Sequence, residues 1–153
     1  MLKELNTDIL CLIEDQNGNH VIQKCIETIP AVKLRFIIDK VTEKVFINFH
    51  YNHLHVLKIE RLPFHAFGCR VIQRILEYST FEQVTSILSF HLLYQTTPML
   101  QKIMSKCLEC CESQFGNYIM QHVLEKGPHK EKEALLEVLK NNFTRLSLNK
   151  FAR

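Results

Sequence analysis

At 153 residues, with 46% hydrophobic residues and a net charge of +3, the chain is long enough to bury a core as one domain and too apolar to be intrinsically disordered. The charge is only mildly basic, so charge alone does not point to nucleic acid. No apolar run reaches the roughly 18 residues of a membrane-spanning helix and no signal-peptide pattern opens the chain, so an intracellular, cytoplasmic location without a membrane partner is expected.

Only four glycines and four prolines occur, and long stretches contain neither, which favours helices over strands. Apolar periodicity predicts helices over about 3–15, 19–29, 32–47, 69–78, 81–94, 98–112, 117–126 and 130–145. The first ends at a polar turn containing Asp15 and Asn17. The second opens with Gly18-Asn19-His20-Val21-Ile22-Gln23-Lys24, and two later helices open almost identically, with Gly68-Cys69-Arg70-Val71-Ile72-Gln73-Arg74 and Gly116-Asn117-Tyr118-Ile119-Met120-Gln121-His122. Gln114 lies in the turn before the third copy, and Gly127-Pro128 marks a helix stop and restart. Each copy runs on to an acidic residue nine positions after its glycine, Glu27, Glu77 or Glu125, preceded by Ile26, Leu76 or Leu124. A segment recurring in this way, with another apolar stretch before each copy, marks a stacked helical repeat in which no unit buries its apolar face alone. Val21, Ile22, Val71, Ile72, Ile119 and Met120 are expected in the core.

The spacing within a copy suggests a division of labour. Residues four apart share a helix face, so Asn19 and Gln23 can converge on one ligand edge, while His20 is turned by about 100° and reaches sideways. A carboxamide is both donor and acceptor, and a flat His, Tyr or Arg can lie against a ring. The short Cys69 leaves room beside Gln73 for a larger ring.

These copies resemble Pumilio-type (PUF) RNA-binding repeats, through the triplets Asn19, His20 and Gln23; Cys69, Arg70 and Gln73; and Asn117, Tyr118 and Gln121. The resemblance continues through Asp15-Gln16, Lys24-Cys25-Ile26-Glu27 and Phe36-Ile37-Ile38-Asp39, and covers about three quarters of the chain. It implies an all-α, right-handed α-solenoid that binds single-stranded RNA at about one base per repeat. By the family's pairing rules Asn/Gln looks like a uracil reader and Cys/Gln an adenine reader, with His20, Arg70 and Tyr118 stacking. Because family members bind RNA antiparallel, the copies would read 5'-UAU-3', and the triplet order is similar to the fourth to sixth repeats of animal Pumilio, which implies UGUA-type elements such as UGUAUAUA. The resemblance further implies repression of messenger RNA through 3' untranslated regions, with translational repressors and deadenylation machinery as partners. Lys24, Arg74 and His122 follow the readers in register; they either approach phosphates or form ion pairs beside Glu27, Glu77 and Glu125.

The repeats divide at approximately 3–39, 40–89 and 98–140, and a further repeat starts at 141–153, where Leu146-Ser147-Leu148-Asn149-Lys150-Phe151-Ala152-Arg153 begins a fourth copy. Ala152 follows Gly116 by 36 residues, the family period, whereas the two earlier glycine intervals are 48 and 50. The surplus falls at approximately 48–62 and 90–101. Both segments are apolar and aromatic, unlike flexible linkers, and read either as added helices on an outer face or as translated non-coding sequence. Arg153 stands where the family places a small residue.

Other chemistries find less support. Cys107-Leu108-Glu109-Cys110-Cys111 has a zinc-like C-x-x-C spacing, but no second paired motif follows, so no metal or other cofactor is expected. Cys11 and Cys25 fall on apolar stripes and are expected as small core residues. No phosphate-binding glycine loop, nucleophile elbow or acid–base constellation appears, and His50, His53, His55 and His65 lack a ligand context, so no enzyme activity or small-molecule substrate is expected. The rival readings are a helical-repeat protein scaffold or a degenerate fragment without RNA binding; a pure scaffold has no reason to keep the reader triplets in register.

Overall fold

The computed structural model describes residues 2–30, 33, 36–39, 41, 62–78 and 99–152. The predicted helix at 81–94, most of that at 32–47, nearly all of the surplus segment 48–62 and residues 90–98 of the other lie outside the described residues. The regular elements are α1 (Leu2–Glu14), α2 (Gly18–Thr28), a 3₁₀ turn (Leu62–Phe64), α3 (Gly68–Tyr78), α4 (Cys107–Glu112), α5 (Gly116–Lys126), α6 (His129–Asn141) and α7 (Phe143–Leu148), with residues 99–105 also helical. The fold is an all-α solenoid. The three homologous helices α2, α3 and α5 pack side by side in chain order, and α1, the 3₁₀ turn and α4 lie against their starts.

Three predicted helices are broken at one register position. Asp8 (φ −124°, ψ 18°) kinks α1, Lys106 (φ −112°, ψ 24°) separates residues 99–105 from α4, and Asn142 (φ −120°, ψ 18°) separates α6 from α7. Each lies ten residues before Gly18, Gly116 or Ala152. At Asn142 the side chain bonds the helix as well, its Nδ2 donating at 2.9 Å to the Val138 carbonyl that its backbone N–H also reaches at 3.1 Å.

The turn before each homologous helix repeats as well. The residue three before the glycine accepts from backbone N–H groups that the helix start leaves without partners. Asp15 Oδ1 accepts from Gly18 at 2.6 Å and Asn17 at 2.9 Å, His65 Nδ1 from Phe67 and Gly68 at 3.3 Å, Ser113 Oγ from Phe115 at 3.2 Å and Gly116 at 3.1 Å, and Asn149 Oδ1 from Phe151 at 2.8 Å. The Gly18 and then the Asn17 N–H hold the Asp15 carboxyl below its usual range. His65, without an assigned role in the sequence, is therefore a cap.

Glycine follows the cap because two backbones meet there. A Cβ on Gly68 would stand 2.6 Å from the Leu62 carbonyl oxygen, and one on Gly18 2.7 Å from that of Leu12. Gly68→Ala should cost about 1–3 kcal/mol by forcing α3 off the preceding turn, read as a lower urea midpoint. A midpoint equal to that of the parent would show that the contact yields freely.

Each homologous helix has two apolar edges. At the fourth position after the glycine Ile22, Ile72 and Met120 are buried in all three. At the third position Val71 and Ile119 are 1% and 0% exposed but Val21 is 52% exposed. Burial of Val21 was the expectation, and the structure corrects it, whereas the equivalent Val71 and Ile119 are buried in helices that pack on a preceding homologous helix. Cys11 is likewise exposed rather than core, and Cys25 is half-buried. Cys107, Cys110 and Cys111 are core residues. A hydrogen bond with Cys111 pushes the Cys107 thiol up, and burial pushes Cys110 up to about 12.

Candidate nucleic-acid interface

The first turn of each homologous helix is anchored by its cap and close glycine, which fixes where the next residues point. The middle members of the triplets are open: His20 and Arg70 are exposed, and Tyr118 is 50% exposed. Stacking on a base requires an accessible ring, and Tyr118 is half exposed beside a helix start.

A groove of about 790 Å³ runs between the starts of α3 and α5 and the turn at 149–152. It gathers all six candidate readers of the second and third copies: Cys69, Arg70, Gln73, Asn117, Tyr118 and Gln121. Cys69 is 2% exposed, with its thiol 3.5 Å from the Ala66 carbonyl. Gln73 Nε2 donates to the Tyr118 carbonyl across the seam at 2.8 Å, which holds its amide at the junction of two repeats. Asn117 Nδ2 donates to the Ser113 carbonyl at 2.9 Å, whereas its Oδ1 is buried and has no partner among the described residues. Gln121 is exposed. The groove therefore offers carboxamides in different states of engagement, beside one ring and one guanidinium.

The first copy is arranged differently. Asn19 is fully buried. Its Nδ2 donates to the Asp15 carbonyl at 2.9 Å and the Gln16 carbonyl at 2.7 Å, and its Oδ1 accepts from Gln23 Nε2 at 2.8 Å. Asn19 and Gln23 share a face as expected, but they are bonded to each other, and Asn19 presents no surface to a ligand.

Of the residues left between phosphate and ion-pair readings, Lys24 and Arg74 join Lys126 in a charge ladder along the homologous helices. Lys24 Nζ is 3.1 Å from Glu27, Arg74 reaches Glu77 at 2.7 Å and Glu27 at 3.4 Å, and Lys126 reaches Glu77 at 3.5 Å. Pairs of this kind, exposed or half-buried at the surface, contribute about 1 kcal/mol each. His122 stands outside the ladder, its Nε2 buried without a partner among the described residues, and burial, then Lys126, lowers its pKa.

Three groove residues were overlooked in the sequence although a signal existed. Phe67, Phe115 and Phe151 each precede Gly68, Gly116 or Ala152, and all line the groove. Lys150 lines it too, with its amine 4.6 Å from the centroid of the Phe151 ring.

Stacked helical repeats whose successive helix starts share one reader-lined groove define a repeat-type binding protein of the α-solenoid class. The Pumilio-family RNA binding repeat matches residues 9–42, 64–89 and 106–140, and the chain belongs to this family. Among relatives, it is 31% identical over 150 residues to Fem-3 mRNA-binding factor 1 of Caenorhabditis elegans, a match covering 94% of this chain and 22% of the relative. Among solved structures, PUF-8 in complex with PBE-RNA superposes with a TM-score of 0.76 at 29% identity, covering 99% of this chain and 37% of that one. The Puf3 RNA binding domain bound to a Cox17 RNA 3' UTR recognition sequence gives 0.75 at 34% identity, with the same coverage. The chain thus spans about a fifth of the length of the curated relatives it matches.

Proposed function

We propose that this chain binds single-stranded RNA sequence-specifically on the face bearing the reader triplets, at about one base per repeat, and that it prefers 5'-UAU-3' within UGUA-type elements. The observation that carries the reading is the groove between α3 and α5, where the edge and stacking candidates of two consecutive repeats converge. The RNA-bound state of the family members it resembles supports the same reading. We further propose a cytoplasmic role in repression through messenger 3' untranslated regions, with translational repressors and deadenylation machinery as partners.

Three stacked bases at ~1–3 kcal/mol each give roughly 3–9 kcal/mol. Association costs about 4–15 kcal/mol, so binding by this chain alone should be weak and should depend on phosphate contacts. The test is a fluorescence-anisotropy titration with a UGUAUAUA RNA and a control in which UAU is replaced by CCC. The expected result is preference for the first that persists as salt rises. Tyr118→Ala should weaken binding by ~1–3 kcal/mol with little change in base preference. Equal affinity for both RNAs would reject sequence reading.

A further inference from the structure

Basic residues near the readers occur in two electrostatic settings. Lys24, Arg74 and Lys126 are interleaved with Glu27 and Glu77 in the ladder, at separations of 2.7–3.5 Å. A phosphate approaching them would meet two carboxylates and compete with bonds already made. The groove differs, because no acidic residue lines it among the described residues. Its two cations, Arg70 and Lys150, form no ion pair among the described residues. An anion at the groove therefore meets positive charge with no like-charge neighbour among the described lining residues.

Lys150 is also placed. It sits in a turn that Asn149 closes by accepting the Phe151 N–H at 2.8 Å, and its ammonium lies over the Phe151 ring at 4.6 Å, within cation–π range. From there it flanks the lip of the groove that holds Asn117, Tyr118 and Gln121. A lysine ammonium is a compact charge with three donors, suited to a phosphate oxygen rather than to a base edge of fixed pattern.

We propose that Lys150 is the phosphate-binding residue of this groove: it contacts the RNA backbone beside the base held by Asn117, Tyr118 and Gln121, while the ladder cations Lys24 and Arg74 align the repeats and leave the RNA backbone alone. This rests on the proposed RNA-binding function and adds a residue to its site. It also reassigns the electrostatic part of binding from the helix middles to the turn before the fourth copy.

The test is the salt dependence of RNA affinity, measured by anisotropy for the parent chain, Lys150→Gln, Lys150→Arg, Lys24→Gln and Arg74→Gln, on both the UGUAUAUA RNA and the CCC control. Losing one phosphate contact on a single strand should reduce the slope of log affinity against log salt by ~0.7. Lys150→Gln should show that reduction on both RNAs, Lys150→Arg should restore the slope, and the ladder variants should keep it. An unchanged slope in Lys150→Gln, or an equal reduction in Lys24→Gln or Arg74→Gln, would overturn the assignment. A parent chain that binds both RNAs equally rejects sequence reading while the slope comparison still decides on Lys150, and a parent chain that binds neither overturns both.

Discussion

Replacing Ile72 by alanine should lower the unfolding free energy by about 2–5 kcal/mol, the usual range for emptying a fully buried aliphatic site. Ile72 is 0% exposed at the centre of α3, the helix that packs on both α2 and α5. Relaxation into the cavity is restricted from several sides, since the start of α3 is pinned against Leu62 by the close approach at Gly68. In a stacked array stability is approximately a sum of repeat and interface contributions, so a defect in the middle repeat weakens two interfaces at once. Val21→Ala supplies the contrast: that side chain is 52% exposed at the neighbouring register, and its loss should stay within about 0.5 kcal/mol. Urea midpoints, compared at equal m-value, separate the two. An Ile72→Ala loss below that of Val21→Ala would mean that the helices do not share one continuous core.

Much of this was legible because repetition is a local signal. The three glycine-led copies fixed the homologous helices to within a residue of their observed starts at Gly18, Gly68 and Gly116, and Ile22, Ile72, Ile119 and Met120 fell in the core as their spacing implied. The fourth turn could be read in advance as well, since the Asn149 cap and Ala152 occupy the same register as Asp15 and Gly18. Misreadings arose where burial depends on a neighbour rather than on the segment itself. Val21 has the same local sequence as Val71, yet only Val71 has a homologous helix before it. Cys11 sat on an apolar stripe whose edge is solvent. The breaks at Asp8, Lys106 and Asn142 escaped because apolar periodicity continues through a single non-helical residue, and their common register emerges only when the dihedral angles are compared.

The candidate readers could be named from the sequence, and the bonds their side chains make could not. The sequence named Asn117, Tyr118 and Gln121 and, separately, Cys69, Arg70 and Gln73, and one groove gathers the two triplets. Which side-chain atoms are already occupied depends on bonds to backbone groups, such as that from Gln73 to the Tyr118 carbonyl across 45 residues. No short-range pattern encodes such a contact. The charge ladder was half visible, because the register of Glu27, Glu77 and Glu125 showed the acids, whereas the choice between phosphate and carboxylate partners for Arg74 needed the distance to Glu27 of 3.4 Å in the adjacent helix.

Asn19→Ala should cost about 3 kcal/mol of stability, taking each of three part-buried hydrogen bonds at about 1 kcal/mol. The bonds are those to the Asp15 and Gln16 carbonyls and from Gln23, and the fully buried side chain has no water to replace them. Asn117→Ala, which removes one bond from a half-buried residue, should cost about 1 kcal/mol. The difference bears on function, because Asn19 fixes which way the Gln23 amide is turned. With Nε2 held at 2.8 Å by Asn19 Oδ1, Gln23 keeps Oε1 as its remaining acceptor, the group that the proposed uracil reading would pair with N3–H. Loss of Asn19 frees the amide to rotate, and preference at the base facing the first repeat should then relax towards equal binding rather than switch to another base. Urea denaturation and a base-substitution titration at that position measure the two effects. Unchanged stability together with a switched preference would show instead that Asn19 turns outward and reads the base itself.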